Sequence, residues 1–369
     1  MKHSLQHKIA DSILTDYINS GRIEPGQKIP TVRELKDIYG TSDTTIQRSL
    51  SILELWGVII RRPGSGCYVS DIREVYLKPS LKILGCVVSC TDTETGFHMF
   101  SGIETACRQR GYQMLVATTN DDYNMEMESV SKQIDMGCDA IVICPALRTQ
   151  EQMASDYLKT SFKNFPIVLL DNGFPEQNRS HVIFDNYSAG YGMTEMLIKE
   201  GHKRIAFMRP GNNLLIKSVR DRHKGYVDAL RVAGIQYNEE DVWPLGITQS
   251  IYKGSHENAF SVIKNKLSKF NDNGNHATAV LALEDTLATH TIMIARGLGI
   301  DVPGQLRVVG FDNQPIARLF TPAFPTTNPD FNEASKIAAE MAIDLATGEL
   351  SGSAIYVNKL PLPIIRKKA

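Results

Sequence analysis

From Leu81 onward, apolar runs of strand length alternate with helix-length amphipathic segments, and this alternation is the tightest restriction the chain places on its own fold. The runs fall at residues 83–88, 113–118, 140–144, 167–171, 181–184, 204–208, 279–283 and 306–310. Alternation sustained this long builds parallel sheets covered by helices on both faces. The chain has 369 residues, more than one core usually serves, so two such layers in series are expected. Ligands of such folds lie beyond the carboxyl ends of the strands. The residues that follow the runs, Cys90 to Asp92, Asp171, Asp185, Glu284 with Asp285, and Asp312, are therefore where a site is sought.

Residues 1–71 have a different rhythm. Leu5, Ile9, Ile13 and Tyr17 recur every fourth residue and predict a helix with one apolar stripe that ends at Gly21. Thr31 and Glu34 have the spacing of a capping box, which starts a second helix running to Tyr39 before Gly40. Ser42 can cap a third helix, with Ile46, Leu50 and Leu53 turned to the core until Gly57. Two short strand-like runs around Pro63-Gly64-Ser65-Gly66 then predict a two-stranded wing. Residues 72–80, closed by Pro79, form the expected linker to a second domain at 81–369.

Composition excludes more than it assigns. Forty Lys+Arg balance 41 Asp+Glu, so nucleic-acid binding would have to come from a local patch. No apolar run approaches bilayer length and the first residues are interrupted by charges, which gives the expectation of a soluble, cytoplasmic protein. The six cysteines contain no C-x-x-C pair and are expected as reduced, mostly buried thiols. Histidines lack metal-ligand spacing, and there is no phosphate loop, nucleophile elbow or dinucleotide glycine fingerprint. The expectation is a protein with no metal, no cofactor and no catalytic residue.

Several motifs in the first 71 residues, among them Pro25-Gly26-Gln27-Lys28-Ile29-Pro30-Thr31-Val32-Arg33-Glu34-Leu35, Ser42-Asp43-Thr44-Thr45-Ile46, Leu53-Glu54-Leu55-Trp56-Gly57 and Gly64-Ser65-Gly66-Cys67-Tyr68-Val69, resemble the winged helix of GntR-family transcription regulators. The resemblance implies that Arg33, Ser42, Thr44 and Thr45 hold phosphates or bases and that Gly64 and Gly66 let the wing approach the minor groove. Asp43 and Gln47 stand where that family often has Arg, so the operator sequence is not inherited. Lys28, Arg33, Arg48, Arg61 and Arg62 can gather on one face to supply the phosphate contacts. The alternative is a winged helix that makes only protein contacts.

The remainder is similar to the effector domain of the LacI/GalR family. The carriers are Asp185-Asn186, Glu200-Gly201-His202-Lys203-Arg204, Arg220-Asp221-Arg222-His223-Lys224-Gly225-Tyr226, Val308-Val309-Gly310-Phe311-Asp312-Asn313 and Pro325-Thr326-Thr327, in family order. This implies a winged helix-turn-helix followed by a two-lobed, periplasmic-binding-protein-like α/β domain with parallel sheets, the chain crossing between lobes near 184, 311–330 and 350. On the family pattern Arg222 and Asp312 contact the effector, followed by Asp185, with Phe97, Asp171, Ser218 and Glu284 as further contacts. Asp171 and Asp185 have a second reading as helix caps or loop hydrogen-bonders.

The pairing of the two units is similar to that of arabinose-utilisation repressors. It implies a ligand-responsive repressor of carbohydrate-utilisation genes, released from operator DNA by a monosaccharide or sugar derivative. Palindromic half-sites imply a homodimer. The alternatives are a sugar-metabolising enzyme with a DNA-binding head, or a regulator sensing a purine, nucleoside or sugar phosphate.

Overall fold

In the computed structural model, residues 5–70, 81–89, 93–211, 216–247, 257–270, 276–282 and 284–366 are described. The expected linker 72–80 and the loop 90–92 lie outside them. Contacts divide the chain into two units, Met1–Leu81 and Lys82–Ala369.

The capping box forms as its spacing requires. The Thr31 hydroxyl accepts the Glu34 amide at 3.4 Å, and the Glu34 carboxylate accepts the Thr31 amide at 2.7 Å, starting the helix Val32–Tyr39. Gly40, at φ +60°, ends it in the left-handed region that only glycine enters cheaply. Ser42 caps the helix Asp43–Leu55. The first helix, Leu5–Ile13, does not run on regularly but passes into a π-helical stretch, Leu14–Asn19. Ile9 and Ile13 are buried as the stripe predicts, whereas Leu5 is exposed. Strands β1 (Ile59–Arg62) and β2 (Gly66–Val69) pair antiparallel as the wing. Ile29, Leu35, Ile46, Leu50, Leu53 and Val69 close the core of this unit.

The second unit holds two parallel sheets. One has the order β13-β7-β6-β5-β3-β4, from β3 (Ile83–Val88), β4 (Gln113–Thr118), β5 (Ala140–Ile143), β6 (Ile167–Leu170), β7 (Ser180–Phe184) and β13 (Val357–Leu360). The other has the order β11-β10-β8-β9, from β8 (Ile205–Arg209), β9 (Val242–Pro244), β10 (Ala279–Leu281) and β11 (Arg307–Val309). Each of the eight forecast runs contains a strand. Those the sequence did not announce are β9 and β13, which lie at sheet edges, and the two-residue strands β12 (Thr326–Thr327) and β14 (Ile364–Ile365). Val242-Trp243-Pro244 carries a proline and Val357-Asn358-Lys359-Leu360 is partly exposed, so neither is a plain apolar run.

The chain leaves the first lobe after β7 and returns with the helix Phe331–Thr347, which packs on β5, β6 and β7. It departs again between β13 and β14, since β14 pairs with β12. The last crossing is thus at 361–363, not near 350. No helix among the described residues is long and apolar enough to cross a membrane.

Candidate functional site

Helices Asn186–Lys199 and Lys217–Val232 approach so closely that a Cβ on Gly190 would lie 2.2 Å from the Arg222 carbonyl oxygen. The contact is reciprocal, because a Cβ on Gly225 would lie 2.2 Å from the Tyr187 carbonyl oxygen. Glycine at both positions brings Arg222 against the start of the neighbouring helix. There its Nε donates to Asn186 Oδ1 at 2.8 Å, and a terminal nitrogen donates to Asp312 Oδ1 at 3.1 Å. The guanidinium lies 4.1 Å over the Phe311 ring, a geometry suited to cation–π attraction.

Asp312 reaches this point on a strained turn. Its φ is +88° and that of Asn313 is +47°. The turn is held by two hydroxyls: Thr327 Oγ1 accepts the Asp312 amide at 3.1 Å, and Thr326 Oγ1 accepts the Asn313 amide at 3.2 Å. Behind them, Asp285 accepts the Thr326 hydroxyl at 2.7 Å and the Gln314 amide at 2.8 Å. Burial pushes the Asp285 carboxyl up to about 8, the Thr326 hydrogen bond opposing. This positioning role was not marked by any local motif; only the fold places residues 285 and 326 together.

Around Arg222 and Asp312 opens a cavity between the lobes. Its first-lobe wall includes Thr95, Gly96, Met99, Pro145, Asp171 and Phe184, and Ser218, Glu284 and Pro329 face them. Asp171, at φ +67°, turns here after β6. Burial, with the Asp312 charge adding to it and Arg222 opposing, pushes its carboxyl up to about 6. Asn172 donates to it at 3.3 Å, and Ser218 Oγ donates to Asn172 Oδ1 at 3.3 Å. Glu284 lines the cavity, but its carboxylate accepts the Thr286 and Leu287 amides at 2.7 and 2.8 Å, so most of its capacity caps the following helix.

Two expected contacts are not brought to the cavity. Asp185 caps the helix Asn186–Lys199, accepting the Ser188 amide at 3.2 Å, and pairs with Lys359 at 3.1 Å. The reading as a helix cap describes it, and its neighbour Asn186 meets Arg222 instead. Phe97 is 65% exposed and absent from the wall. Gly96 and Met99 share the inward face of the helix Glu94–Arg110, and Phe97 lies a rotation of about 100° beyond Gly96.

In the first unit, Lys28, Arg33, Ser42, Asp43, Thr44, Gln47, Arg48, Arg62, Gly64 and Gly66 are all exposed and Thr45 is half-buried. Ser42 accepts the Thr45 amide at 3.2 Å, so its hydroxyl serves the helix start. The backbone of Lys28, far from the wing in sequence, forms a β-bridge with that of Tyr68, and Arg62 stacks 4.5 Å over the Tyr68 ring. Two charges are otherwise engaged. Arg61 points back to the helix, donating to Ser51 Oγ at 2.8 Å and pairing with Glu54 at 2.9 Å, which corrects its expected place in the phosphate-binding group. Asp43 pairs with Lys36 at 2.8 Å, and the Lys36 hydrogen bond holds its carboxyl below the usual range.

No group of three metal-ligating side chains occurs among the described residues. Cys86, Cys107 and Cys138 are buried free thiols, Cys144 is buried, and Cys67 is half-buried.

Comparison with known proteins agrees with both halves. Residues 5–69 match the bacterial regulatory proteins of the gntR family, and residues 194–361 match the periplasmic binding protein-like domain. The arabinose metabolism transcriptional repressor of Geobacillus stearothermophilus is 26% identical over 343 residues, covering 90% of this chain and 88% of that one. The HTH-type transcriptional repressor PurR of Serratia proteamaculans is 23% identical, covering 85% and 89% respectively. The solved structure of the transcriptional regulator CelR in complex with cellobiose has the same fold, with a TM-score of 0.63 at 20% identity over 91% of this chain and 98% of that one. The chain therefore carries a segment that matches the gntR regulatory family at residues 5–69 and one that matches the periplasmic binding protein-like domain at residues 194–361, and is similar along most of its length to an arabinose metabolism repressor.

Proposed function

We propose that the protein is a DNA-binding transcription repressor, acting as a cytoplasmic homodimer, that is released from its operator when a small carbohydrate binds between the lobes of its second unit. The observation that carries this reading is the buried pairing of Arg222 with Asp312 at the wall of the interlobe cavity. A guanidinium and a carboxylate side by side present a donor fork and acceptor oxygens, which is what vicinal hydroxyls require. Phe184 and Phe331 supply apolar surface for the C–H face of a sugar ring. Arg222 and Asp312 are the leading contacts, with Asp171 and Ser218 beside them.

The ionisable side chains on the wall are Asp121, Asp171, Glu284 and Asp312 against the one cation Arg222, among the described residues. That balance favours an uncharged ligand and speaks against a sugar phosphate, whose charge would meet carboxylates. The cavity serves sensing and the protein turns nothing over. A thermal-shift screen of free sugars, their phosphates and purines, followed by operator release with the hit, tests the reading. A melting shift and operator release with a free sugar, without its consumption, is expected. A shift with purines or phosphates alone would displace it, and turnover of the sugar would favour an enzyme.

A further inference from the structure

The first lobe carries a second recess, of about 420 Å³, at the amino ends of its strands, and that size is within the range of small-molecule sites. Pro166 and Ile167 at the start of β6, Arg179 and Ser180 at the start of β7, and residues 352–355 ahead of β13 form its walls. The three strands run parallel. The recess therefore lies at the opposite end of the sheet from Asp171 and Phe184, the strand-end residues on the wall of the interlobe cavity.

Its charge is the reverse of that cavity's. Lys159, Lys163 and Arg179 line it, and no carboxylate does among the described residues. Lys159 donates to the Met153 carbonyl at 2.7 Å, and Arg179 donates to the carbonyls of Leu158, Phe162 and Phe165. These neutral oxygens fix both side chains and leave their charges without a carboxylate in the recess. Asp156, the nearest acid along the chain, is buried where it accepts from Arg148 and Gln177. Burial accordingly holds Arg179 below the usual guanidinium range, with Tyr157 and Asp156 opposing. Cations gathered on the low-dielectric walls of a recess focus their field on an incoming anion. Asn164 and Asn178 stand exposed beside them and add neutral donors, whereas Gln177 and Ser180 are spent on Asp156 and the Tyr356 amide. Phe165, Pro166 and Ile355 supply apolar surface next to the cations, more than a bare inorganic anion could use.

We propose that this recess binds a phosphate monoester of a small metabolite, with the phosphate against Lys159, Lys163 and Arg179 and the organic part against Phe165, Pro166 and Ile355. A phosphate group brings the negative charge and the several acceptor oxygens that such a cluster of donors takes. Bound there, it ties residues 159–166 to residues 352–355, which connect the helix Phe331–Thr347 to β13 and so to the last crossing between the lobes. The site is independent of the carbohydrate reading and adds a second, anionic signal to it.

Calorimetry on the full-length protein at low ionic strength tests it with glucose-6-phosphate, ribose-5-phosphate and AMP, each against its unphosphorylated parent, and with inorganic phosphate. At least one ester should bind more tightly than both its parent and inorganic phosphate. Lys163→Gln removes a cation and Asn164→Asp adds a carboxylate of the same shape, both at exposed positions. Each should weaken the ester about tenfold, while Lys163→Arg retains it. Arg222→Ala should leave ester affinity unchanged, and neither recess variant should alter the affinity for an uncharged sugar, which separates this site from the interlobe cavity. No binding by any ester, binding kept in both recess variants, or binding lost in Arg222→Ala overturns the site. Inorganic phosphate held as tightly as every ester overturns the assignment to an ester. Weaker operator affinity in Lys163→Gln, with no ester bound, would make the cluster a contact for the DNA backbone instead.

Discussion

Arg222 and Asp312, ninety positions apart in the chain, meet at 3.1 Å because two helices touch through Gly190 and Gly225 and a left-handed turn lifts Asp312 off the end of β11. Both side chains are largely withdrawn from solvent, so each leaves the other uncompensated when it is removed. Arg222→Ala and Asp312→Ala should each weaken effector binding by about 2 kcal/mol or more, with operator affinity in the absence of effector little changed. Calorimetry against the sugar found by screening reads this, and unchanged affinity in both variants would place the ligand elsewhere.

The helix contact itself is open to test. Gly190→Ala puts a methyl group against backbone, which cannot turn aside as a side chain can. It should cost about 1 to 3 kcal/mol or more of stability and, by parting Arg222 from Asn186, weaken effector binding as well. Alanine at Gly297, where nothing lies within 4 Å of the added carbon, is the control. A variant at Gly190 as stable as that control would show that the helices accommodate the methyl group.

Stability should depend on pH in a direction set by Asp171 and Asp285. Both carboxyls are raised by burial, to about 6 and about 8, above the ordinary value of 3.8. Between the unfolded and folded values the native protein holds protons that the unfolded chain has released, so stability falls as pH rises. The melting temperature should decline from pH 4 upward. Asp171→Asn should flatten the part of the decline that ends near pH 6, and Asp285→Asn the part extending to pH 8. Parallel curves for wild type and both variants would remove these two groups as its source.

On the DNA-binding head, Gln47 and Asp43 are exposed one helical turn apart near the start of the helix Asp43–Leu55. Gln47→Ala should relax preference at one base pair by roughly 1 to 3 kcal/mol, read by selection of bound sequences from a random pool. A simple repulsive role for Asp43 is altered by its pairing with Lys36. Asp43→Asn should free Lys36 for phosphate, raising non-specific affinity and steepening the salt dependence by about one counterion. Adding Lys36→Ala should cancel the gain. A gain that persists would mean that Asp43 acts on DNA directly.

A phosphate contact by Arg33, which is exposed on the second helix, would have a different signature. Arg33→Ala should lower affinity for all DNA sequences alike and flatten the salt slope by about one. Loss confined to one base position, with the slope intact, would make Arg33 a base reader.

Local patterns were enough to read the capping box at Thr31, the helix stop at Gly40, the wing around Gly64 and the eight apolar strands, because each depends on neighbours within a few residues or on a period of apolar side chains. Arg222 and Asp312 were singled out by the family resemblance rather than by local spacing. Local patterns could not separate Asp185 from Asn186 or Phe97 from Met99. The first pair is adjacent in sequence and the second is two positions apart, and what decides between them is which way each side chain leaves the backbone and what the opposite lobe presents. The edge strands β9 and β13, the crossing at 361–363 and the service of Asp285 behind Thr326 were likewise settled by long-range pairing. Such contacts join residues far apart in the chain, and no local spacing encodes them; the physical reason is that burial and hydrogen bonding are satisfied in three dimensions, while periodicity constrains one segment at a time.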